Sequence, residues 1–352
     1  AEDGIRDRLV TGVQTCALPI WRSNSSINFG KRLNAVNRLD FFGSGAKTVL
    51  APMAGYTDAA FRTICRGFGA ALTVTEMVSS KALVMNNSLT ETLLKRFDDA
   101  PCFVQIFGHE PQVMADSVQL DKMQDFEGLD INMGCPVRKI VSNGDGSALM
   151  QNPALASRCI AAVRKVWTKP LSVKFRLGVA DSAGAADFAK MCADSGADFV
   201  TVHFRTRVQM YSGNADYSAL ADIVKCGIPV FANGDVTSRK QYLRLTEEGA
   251  YGVSVGRGAL GRPYIFAMLA GQKGSADVQE LILRHMRLLR SYLPDKVVAN
   301  EMKKHAVCYL KGMRDAKKTA TACALAHDSH TTEQLVRQYF EQYPQNRVVF
   351  YD

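Results

Sequence analysis

One cysteine among the nine in the chain stands in a sequence context that favours chemistry. Cys135 lies between Gly134 and Pro136, which predicts a rigid turn. A thiol with an unperturbed pKa of about 8.5 is largely protonated at neutral pH, so it can act as a general acid. The alternative is nucleophilic catalysis, which needs an adjacent general base. His203 is the candidate for that base, but nothing close in sequence supplies one, so proton donation is favoured.

Most other cysteines have a simpler interpretation. Free cysteine inside a helical or strand pattern is usually a small buried hydrophobic residue. Five positions fit this description: Cys65, Cys102, Cys159, Cys192 and Cys226. The number of cysteines is odd and no C-x-x-C pair occurs, so the sequence predicts neither a disulfide framework nor a metal site. A reducing cytoplasm fits this composition best.

A lysine in an apolar segment suggests an anion site. Lys174 lies in Ser-Val-Lys-Phe-Arg, which Arg176 ends. Buried lysine is rare without an anionic partner, so Lys174 is predicted to meet a bound anion. The alternative is a lysine at the rim of the fold whose ammonium group reaches out to water.

Two glycine-containing loops near the end of this region predict a phosphate site. Asn233-Gly234-Asp235 follows one apolar segment, and Gly256-Arg257 follows the next. Glycine lets backbone N–H groups approach an anion, and arginine supplies positive charge. Asn-Gly-Asp alone is an ordinary turn, so the position of both loops after consecutive segments carries the prediction.

The elements that must position these residues alternate regularly. Eight short apolar segments are separated by helical patterns, which predicts a parallel (β/α)8 TIM barrel, an α/β fold with its chemistry at the C-terminal ends of the strands. The predicted strands are 48–51, 71–76, 101–107, 128–132, 171–175, 199–203, 229–232 and 252–255. A doubly wound open sheet is the alternative, but it would normally carry a glycine-rich loop after its first strand, where Pro52-Met53-Ala54 stands.

A small C-terminal helical domain is predicted after the barrel. The strands are predicted to stop at about Gly271, and 271–275 is interpreted as a linker. Helical patterns follow at 278–292, 295–310, 316–325 and 332–342. Ten Lys or Arg and three acids lie between Leu281 and Ala320, which suits either a solvated helix face or a polyanionic partner.

Composition limits the class of protein. The 352 residues are 47% hydrophobic and 22% charged, as in packed globular proteins, and the net charge is +9. No apolar run reaches the roughly 18 residues that span a bilayer, so no membrane association is expected. The chain is divided into a lead-in at 21–46, a barrel domain at 47–270 and a helical domain at 276–345.

The first twenty residues look foreign to the rest. Residues 1–7 and 10–20 resemble in-frame translations of sequencing adapters, with a short index between them. They lack the apolar core of a signal peptide and the pattern of a transit peptide. We interpret 1–20 as a non-native segment; a natural disordered tail is the alternative.

Long motifs at these same positions resemble the tRNA-dihydrouridine synthases, in particular the bacterial B-type branch. The motifs are Ala-Pro-Met-Ala-Gly-Tyr-Thr-Asp (51–58), Glu-Met-Val-Ser-Ser-Lys-Ala-Leu (76–83), Val-Gln-Ile-Phe-Gly (104–108), Asp-Ile-Asn-Met-Gly-Cys-Pro (130–136), Val-Lys-Phe-Arg-Leu-Gly (173–178), Ala-Asn-Gly-Asp (232–235) and Gly-Arg-Gly-Ala-Leu-Gly-Arg-Pro (256–263). The resemblance runs from about Thr48 to Ile265 and continues more weakly through the helical tail.

The resemblance implies an FMN site in the barrel mouth, with NADPH as the reductant. The residues that would bind FMN are Pro52, Met53, Ala54, Gln105, Lys174, His203, Asn233, Gly234, Asp235, Gly256 and Arg257. Hydride would pass from the flavin to C6 of a uracil that has left its stack, and Cys135 would protonate C5. Asn132 and Arg176 would contact the base.

The resemblance also implies that the helical domain binds tRNA. Candidate phosphate contacts are Lys303, Lys304, Lys311, Arg314, Lys317 and Lys318. The spacing of Lys311, Arg314 and Lys318 predicts that they share one helical face. The protein is expected to be monomeric.

One departure from the family pattern is Phe204, which stands where members usually have glycine after His203. Either its ring crowds the phosphate side of the flavin and disturbs His203, or the residue is a sequencing error.

Two competing functions also remain: an FMN barrel that reduces a free pyrimidine, as dihydroorotate dehydrogenases do, and a tRNA-binding module without catalysis. The basic helical tail argues against a free pyrimidine as substrate, because a small substrate needs no such surface. The presence of Cys135, Lys174 and Asn233-Gly234-Asp235 together argues against a module without catalysis.

Overall fold

Eight parallel strands form a closed barrel in chain order, with the first strand next to the eighth. The computed structural model describes residues 38–97 and 99–352. The barrel strands are β1 (Thr48–Leu50), β2 (Leu72–Ser79), β3 (Cys102–Phe107), β4 (Gly128–Met133), β5 (Leu171–Arg176), β6 (Phe199–His203), β7 (Val230–Asn233) and β8 (Gly252–Val255). The predicted (β/α)8 barrel is confirmed, and the open-sheet alternative is wrong because the sheet closes on itself.

Helices cover the outside of the barrel and continue beyond it. In the barrel region they are α1 (Ala59–Gly67), α2 (Ser80–Val84), α3 (Leu89–Leu93), α4 (Pro111–Val118), α5 (Arg138–Ser142), α6 (Pro153–Val166), α7 (Ala185–Asp194), α8 (Leu220–Ile223), α9 (Arg239–Glu247) and α10 (Ile265–Leu269). The strands are buried on both faces, between these helices and the barrel interior, which is why they read as continuous apolar segments.

Aromatic rings close the N-terminal end of the barrel. Phe103, Phe199 and Phe231 come from three strands and pack with Phe42, which precedes β1. The ring centroids of Phe42 and Phe231 are 5.0 Å apart, and those of Phe199 and Phe231 are 5.2 Å apart. Because this end is filled with side chains, the C-terminal end is the one that can admit a ligand.

Four helices follow the barrel: α11 (Val278–Arg290), α12 (Asp295–Leu310), α13 (Lys317–Leu325) and α14 (Ser329–Gln342). Their shared core includes Met286, Val298 and Phe340, and it extends to Ala60 and Ile64 of α1. The helical region is therefore packed directly on the barrel through α1.

The strands do not stop at Gly271, so the prediction of a linker over 271–275 is wrong. Strand β9 (Gly274–Asp277) pairs antiparallel with β10 (Val348–Tyr351). Arg347 adds an ion pair to Asp277, with 2.8 Å between Nη2 and Oδ2. The partner strand lies about 70 residues further along the chain, so no local pattern around Gly274 could reveal the pairing.

Asp58 joins the start of α1 to the helical region. Its Oδ1 accepts a hydrogen bond from Phe61 N, and its Oδ2 lies 3.4 Å from His285 Nε2 and 3.3 Å from His305 Nε2. Burial raises the pKa of Asp58, but the two imidazoles outweigh it and hold that pKa well below its ordinary value. Burial, together with His285, lowers the pKa of His305 to about 4.

None of the helices in the described residues is long and apolar enough to cross a membrane. The predicted non-native segment 1–20 and the lead-in up to residue 37 lie outside the described residues.

Candidate active site

A cavity of about 1380 Å³ opens at the C-terminal end of the barrel. Every residue predicted to bind the flavin lines it: Pro52, Met53, Ala54, Gln105, Lys174, His203, Asn233, Gly234, Asp235, Gly256 and Arg257. Asn132, Cys135, Arg176 and Lys311 line it as well. Pockets for one small ligand usually measure about 300–1,000 Å³, so this cavity has room for two groups side by side.

The loop that carries Cys135 is fixed by hydrogen bonds from within the protein. The backbone N–H groups of Gly134 and Cys135 donate to Asn132 Oδ1 at 3.2 and 2.9 Å. The Cys135 carbonyl accepts from Ser147 N at 3.1 Å and from Ser147 Oγ at 2.8 Å. The predicted rigid turn is thus present, and the thiol has a defined position at the end of β4.

A buried polar network holds Asn132 in turn. Its Nδ2 donates to Gln105 Oε1 at 3.0 Å, and Gln105 Nε2 donates to Asp130 Oδ2 at 2.6 Å. Asp130 also accepts from Ser172 Oγ at 2.5 Å, and burial raises the pKa of its carboxyl. This network runs across β3, β4 and β5 and ties the Cys135 loop to the barrel wall.

Arg176 supports the same loop from β5. Its Nε donates to the Gly134 carbonyl at 2.8 Å, and its Nη1 donates to the carbonyls of Thr206 and Met210 at 3.1 and 2.7 Å. The side chain is buried, with 2% exposure. Contact of Asn132 and Arg176 with a substrate stays a prediction; what the geometry adds is that both residues position Cys135.

Electrostatics favour a protonated thiol. Burial raises the pKa of Cys135, and this outweighs the opposing influence of the Val137 N–H group and the cations Arg176 and Lys174. Burial, then Lys174 and three arginines, lowers the pKa of His203 to about 2. His203 is therefore a neutral and very weak base, which disfavours a base-activated nucleophile and favours Cys135 as an acid.

Lys174 points into the cavity without a strong partner. Burial lowers its pKa to about 8, Arg176 contributes in the same direction, and Asp130 opposes them. No hydrogen bond to another described residue supports its charge. Both oxygens of Asp130 are already engaged by Gln105 and Ser172. A half-buried ammonium group in this state would be stabilised by an acceptor or anion placed in the cavity.

The opposite wall of the cavity is built around Asp235. Its Oδ2 accepts from Arg205 Nη2 at 2.6 Å and from Ala215 N at 2.8 Å, and its Oδ1 lies 3.5 Å from Arg257 Nη2. A carboxylate repels phosphate, so any contribution of Asp235 to a phosphate site is indirect, through the two arginines that it orients.

Gly234 is required by its backbone conformation and by close packing next to these arginines. Its φ of +132° is rarely adopted by other residues, and a Cβ there would lie 2.8 Å from the Cβ of Ala215. The preceding Asn233 is fixed because its Nδ2 donates to the Ser254 carbonyl at 2.7 Å. The loop at 233–235 therefore has a fixed path along the cavity wall, and a side chain at Gly234 would displace it.

Phe204 does not face the cavity, so the expected crowding of the flavin site is wrong. Side chains alternate at the end of β6: His203 and Arg205 line the cavity, and Phe204 is fully buried on the other side. Its ring packs against Tyr217, with 4.5 Å between centroids. A larger residue is accommodated there because the ring joins the core between the barrel and its helices.

The predicted basic helical face in the C-terminal region is also wrong. Helix α12 ends at Leu310, and Gly312 has a φ of +81°, which turns the chain. Lys311 lies at this turn and lines the cavity. Arg314 follows in the turn with a side chain 78% exposed, beside Asp315. Because α13 begins only at Lys317, helical spacing does not apply across 311–318.

The other predicted tRNA contacts differ in exposure. Lys317 and Lys318 are exposed, and Lys303 is half-buried. Lys304 is held against the barrel, where its Nζ donates to the Gly55 carbonyl at 2.7 Å and to Glu301 Oε2 at 2.8 Å. Because Gly55 follows the cavity-lining residues 52–54, Lys304 ties this loop to the helical region.

Reasoning from the sequence missed two residues that line the cavity and one that supports the loop beside it. Arg205 lies in a motif that drew attention only for its phenylalanine. The ring centroid of Tyr211 lies 5.4 Å from the guanidinium carbon of Arg176 and 5.7 Å from that of Arg257. Nothing in the local sequence of Tyr211 indicates these contacts. Glu76 accepts a hydrogen bond from Gly55 N, and burial raises the pKa of its carboxyl to about 7.

Comparison with known proteins identifies the family. The family model described as "Dihydrouridine synthase (Dus)" matches residues 49–344. A probable tRNA-dihydrouridine synthase of Rickettsia conorii is 33% identical over 306 residues, covering 83% of this chain and 92% of the relative. tRNA-dihydrouridine synthase B of Pseudomonas aeruginosa is 33% identical over 313 residues, covering 85% of this chain and 94% of the relative. With the barrel and the Cys135 loop in place, the chain belongs to the dihydrouridine synthase family of oxidoreductases.

Proposed function

We propose that this protein reduces the C5=C6 bond of uridines in tRNA to 5,6-dihydrouridine in the cytoplasm, with FMN as its cofactor and NADPH as the reductant. The observation that carries the proposal is the Cys135 thiol, held protonated at the rim of a cavity whose opposite wall is suited to a phosphate group. The family and the names of the relatives support the substrate class.

The residues present fit a flavin mononucleotide. Lys174 offers an unpartnered ammonium group that would suit the polar edge of the ring, where reduced flavin carries negative charge. Gln105 lines the same region and retains one amide hydrogen beyond its bond to Asp130. Residues 52–54 supply apolar surface next to these groups.

The phosphate end of the cofactor would lie against β7 and β8. Gly234 and Gly256 line this part of the cavity without a side chain, and Arg205 and Arg257 supply charge. Asp235 orients both arginines rather than touching the phosphate. This is the usual position of a phosphate group in a (β/α)8 barrel.

Cys135 would supply the proton of the reduction. When bound, FMN that NADPH has reduced supplies the hydride that adds to C6 of the uracil. The S–H bond of Cys135 then breaks as a C–H bond forms at C5, and the thiolate that remains regains a proton from solvent. Arg176 and Lys174 would stabilise this thiolate, because both lower the pKa of Cys135.

The helical region would hold the RNA at the cavity mouth. A uracil in a folded tRNA must leave its stack to reach a site inside a barrel. Lys311 lines the cavity, and Arg314, Lys317 and Lys318 are exposed nearby in sequence. Phosphate contacts from such residues would make binding fall steeply as salt concentration rises.

The experiment is reduction of an unmodified tRNA transcript by the purified protein with FMN and NADPH, with dihydrouridine mapped by mass spectrometry. Free uridine, free orotate and an RNA-free reaction serve as comparisons. We expect a flavin-coloured protein that forms dihydrouridine only in tRNA. Equal reduction of a free pyrimidine would favour the alternative barrel reductase, and flavin-free protein that binds tRNA would favour a non-catalytic module.

A further inference from the structure

Three ionisable side chains from three helices meet in the interior, outside the active-site cavity. Asp58 caps α1, His285 belongs to α11, and His305 belongs to α12. Their side-chain ligand atoms all lie within 4.8 Å of one another. Both histidines have 0% exposure. No local motif could indicate this cluster, since Asp58 and His285 are 227 residues apart.

In this cluster His285 Nε2 and Asp58 Oδ2 share a long hydrogen bond of 3.4 Å, whereas the His305 ring is unpartnered among the described residues. Within the described part of the chain, neither ring nitrogen of His305 makes a hydrogen bond, although its Nε2 lies 3.3 Å from Asp58 Oδ2. A buried nitrogen without a hydrogen-bond partner destabilises the folded protein, so two in one fully buried ring call for an explanation.

The outer contacts of Asp58 and His285 leave one ligand atom of each residue, Oδ2 and Nε2, facing the His305 ring. Asp58 Oδ1 accepts from Phe61 N at 2.9 Å, which leaves Oδ2. His285 Nδ1 lies 3.4 Å from the Tyr309 hydroxyl, which leaves Nε2. Such outer contacts are what normally orient the side chains that bind a metal.

We propose that Asp58, His285 and His305 bind a divalent zinc ion between the barrel and the helical region. Two imidazole nitrogens and one carboxylate oxygen form a donor set that suits zinc better than magnesium or calcium, which prefer oxygen. A water molecule would take the fourth position.

The spacing of the donor atoms matches tetrahedral coordination. Zinc bonds of about 2.0–2.1 Å in a tetrahedron place neighbouring ligand atoms roughly 3.3–3.4 Å apart. The separations from Asp58 Oδ2 are 3.3 Å to His305 Nε2 and 3.4 Å to His285 Nε2, and the ligand atoms of all three residues lie within 4.8 Å of one another. Two of the three donor pairs therefore already have the spacing of tetrahedral coordination.

Aromatic rings surround the cluster and separate it from solvent. The ring centroid of Phe61 lies 5.9 Å from that of His285 and 5.2 Å from that of His305. The ring centroid of Tyr56 lies 5.6 Å from that of His305. A closed site of this kind takes up its metal as the chain folds. Thr57, next to Asp58, hydrogen-bonds to Met53, so the ion would also steady the loop that lines the cavity.

The test is the metal content and zinc-edge X-ray absorption spectrum of the wild-type protein, expressed with zinc and desalted over a chelating resin. We expect about one zinc per chain, with nitrogen and oxygen ligands at about 2.0–2.1 Å and no sulfur near 2.3 Å. Less than about 0.1 zinc per chain, or a spectrum dominated by sulfur, overturns the proposal.

Variants and refolding sharpen this result. His305→Ala should lose the zinc, and the control His330→Ala, which changes an exposed histidine of the same region, should keep it. Wild-type protein refolded with zinc should melt at least about 3 °C above protein refolded with a chelator, because an ion bound to the folded state raises its stability. Equal melting temperatures contradict the proposal even if His305→Ala fails to fold. No flavin or tRNA is needed, so failure here leaves the proposed function untouched.

Discussion

The two sides of the active-site cavity are built differently. We define the β4–β5 side by Asn132, Cys135, Lys174 and Arg176, and the β7–β8 side by Arg205, Gly234, Asp235 and Arg257. On the β4–β5 side, Asn132 and Arg176 are buried and hydrogen-bond to the protein itself. On the β7–β8 side, Arg205 is buried as well, but the side chains of Asp235 and Arg257 are 35% and 55% exposed.

The two sides are therefore suited to different tasks: the β4–β5 side holds the proton donor in place, and the β7–β8 side attracts a phosphate group. Proton transfer requires a donor that is held in place before the substrate arrives, and the bonds around Cys135 provide this. A phosphate group tolerates small displacements, because charge and accessible backbone N–H groups attract it over a wider range of positions. We therefore expect variants on the β4–β5 side to affect turnover strongly, and variants on the β7–β8 side to affect cofactor affinity moderately.

The largest effect on positioning is expected from Asn132→Ala. The change removes the acceptor for two backbone N–H groups at Gly134 and Cys135 and so frees the loop. Misplacing the donor should lower kcat for tRNA reduction about 100-fold while the protein still binds FMN. Steady-state kinetics test this, with the exposed Asn143→Ala as the control. A kcat equal to that of the control would mean that the loop does not depend on Asn132.

A smaller loss is expected from Lys174→Met, which removes charge while keeping most of the side-chain volume. The ammonium group has no hydrogen-bonded partner among the described residues, so its role is expected to appear only when a ligand is bound. FMN affinity should fall about 10- to 100-fold, the value of a hydrogen bond to a charged group. Fluorescence titration against the exposed Lys165→Met measures this. Unchanged affinity would favour a lysine that only reaches water at the rim.

A still smaller loss of FMN affinity is expected from Arg257→Ala, which changes the β7–β8 side. Its guanidinium is half-exposed, so salt screens its attraction for phosphate. FMN affinity should fall about 3- to 10-fold, less at high salt, and the affinity for riboflavin, which lacks the phosphate, should not change. Equal losses for both flavins would place the phosphate elsewhere.

The smallest change in FMN affinity is expected from Phe204→Ala, although this variant should lower the stability of the fold strongly. The ring is buried behind the β7–β8 side and contacts Tyr217 rather than the cavity. The free energy of unfolding should fall by about 3–5 kcal/mol, as for other buried phenylalanines. Denaturant unfolding and FMN titration together test this. A marked gain in FMN affinity would show that the ring does restrict the cofactor.

Local patterns were sufficient to predict the barrel, and together with the family resemblance they predicted many of the polar residues that line the cavity. Strand ends in a parallel barrel meet at one rim, so residues as distant as Gln105 and Arg257 could be placed together from sequence alone. The five cysteines interpreted as buried hydrophobic residues are all buried.

The features that sequence could not provide depend on distant pairing or on loop geometry. Strand β9 forms only because β10 lies beside it. The break at Gly312 separates Lys311 from Lys318, although their spacing suits a helix. Tyr211 and Arg205 take their positions from the long loop after β6, whose path is set by tertiary contacts such as those of Arg176 and Asp235.

The proton-donor role of Cys135 is tested most directly by separating the two halves of the reaction. Wild-type and Cys135→Ala proteins with bound FMN are reduced by NADPH without oxygen and then mixed with unmodified tRNA; Cys226→Ala, which changes a buried thiol outside the cavity, is the control. We predict that Cys135→Ala is reduced at the wild-type rate but forms dihydrouridine about 10²- to 10⁴-fold more slowly. Dihydrouridine formation at the wild-type rate would show that Cys135 is not the proton donor.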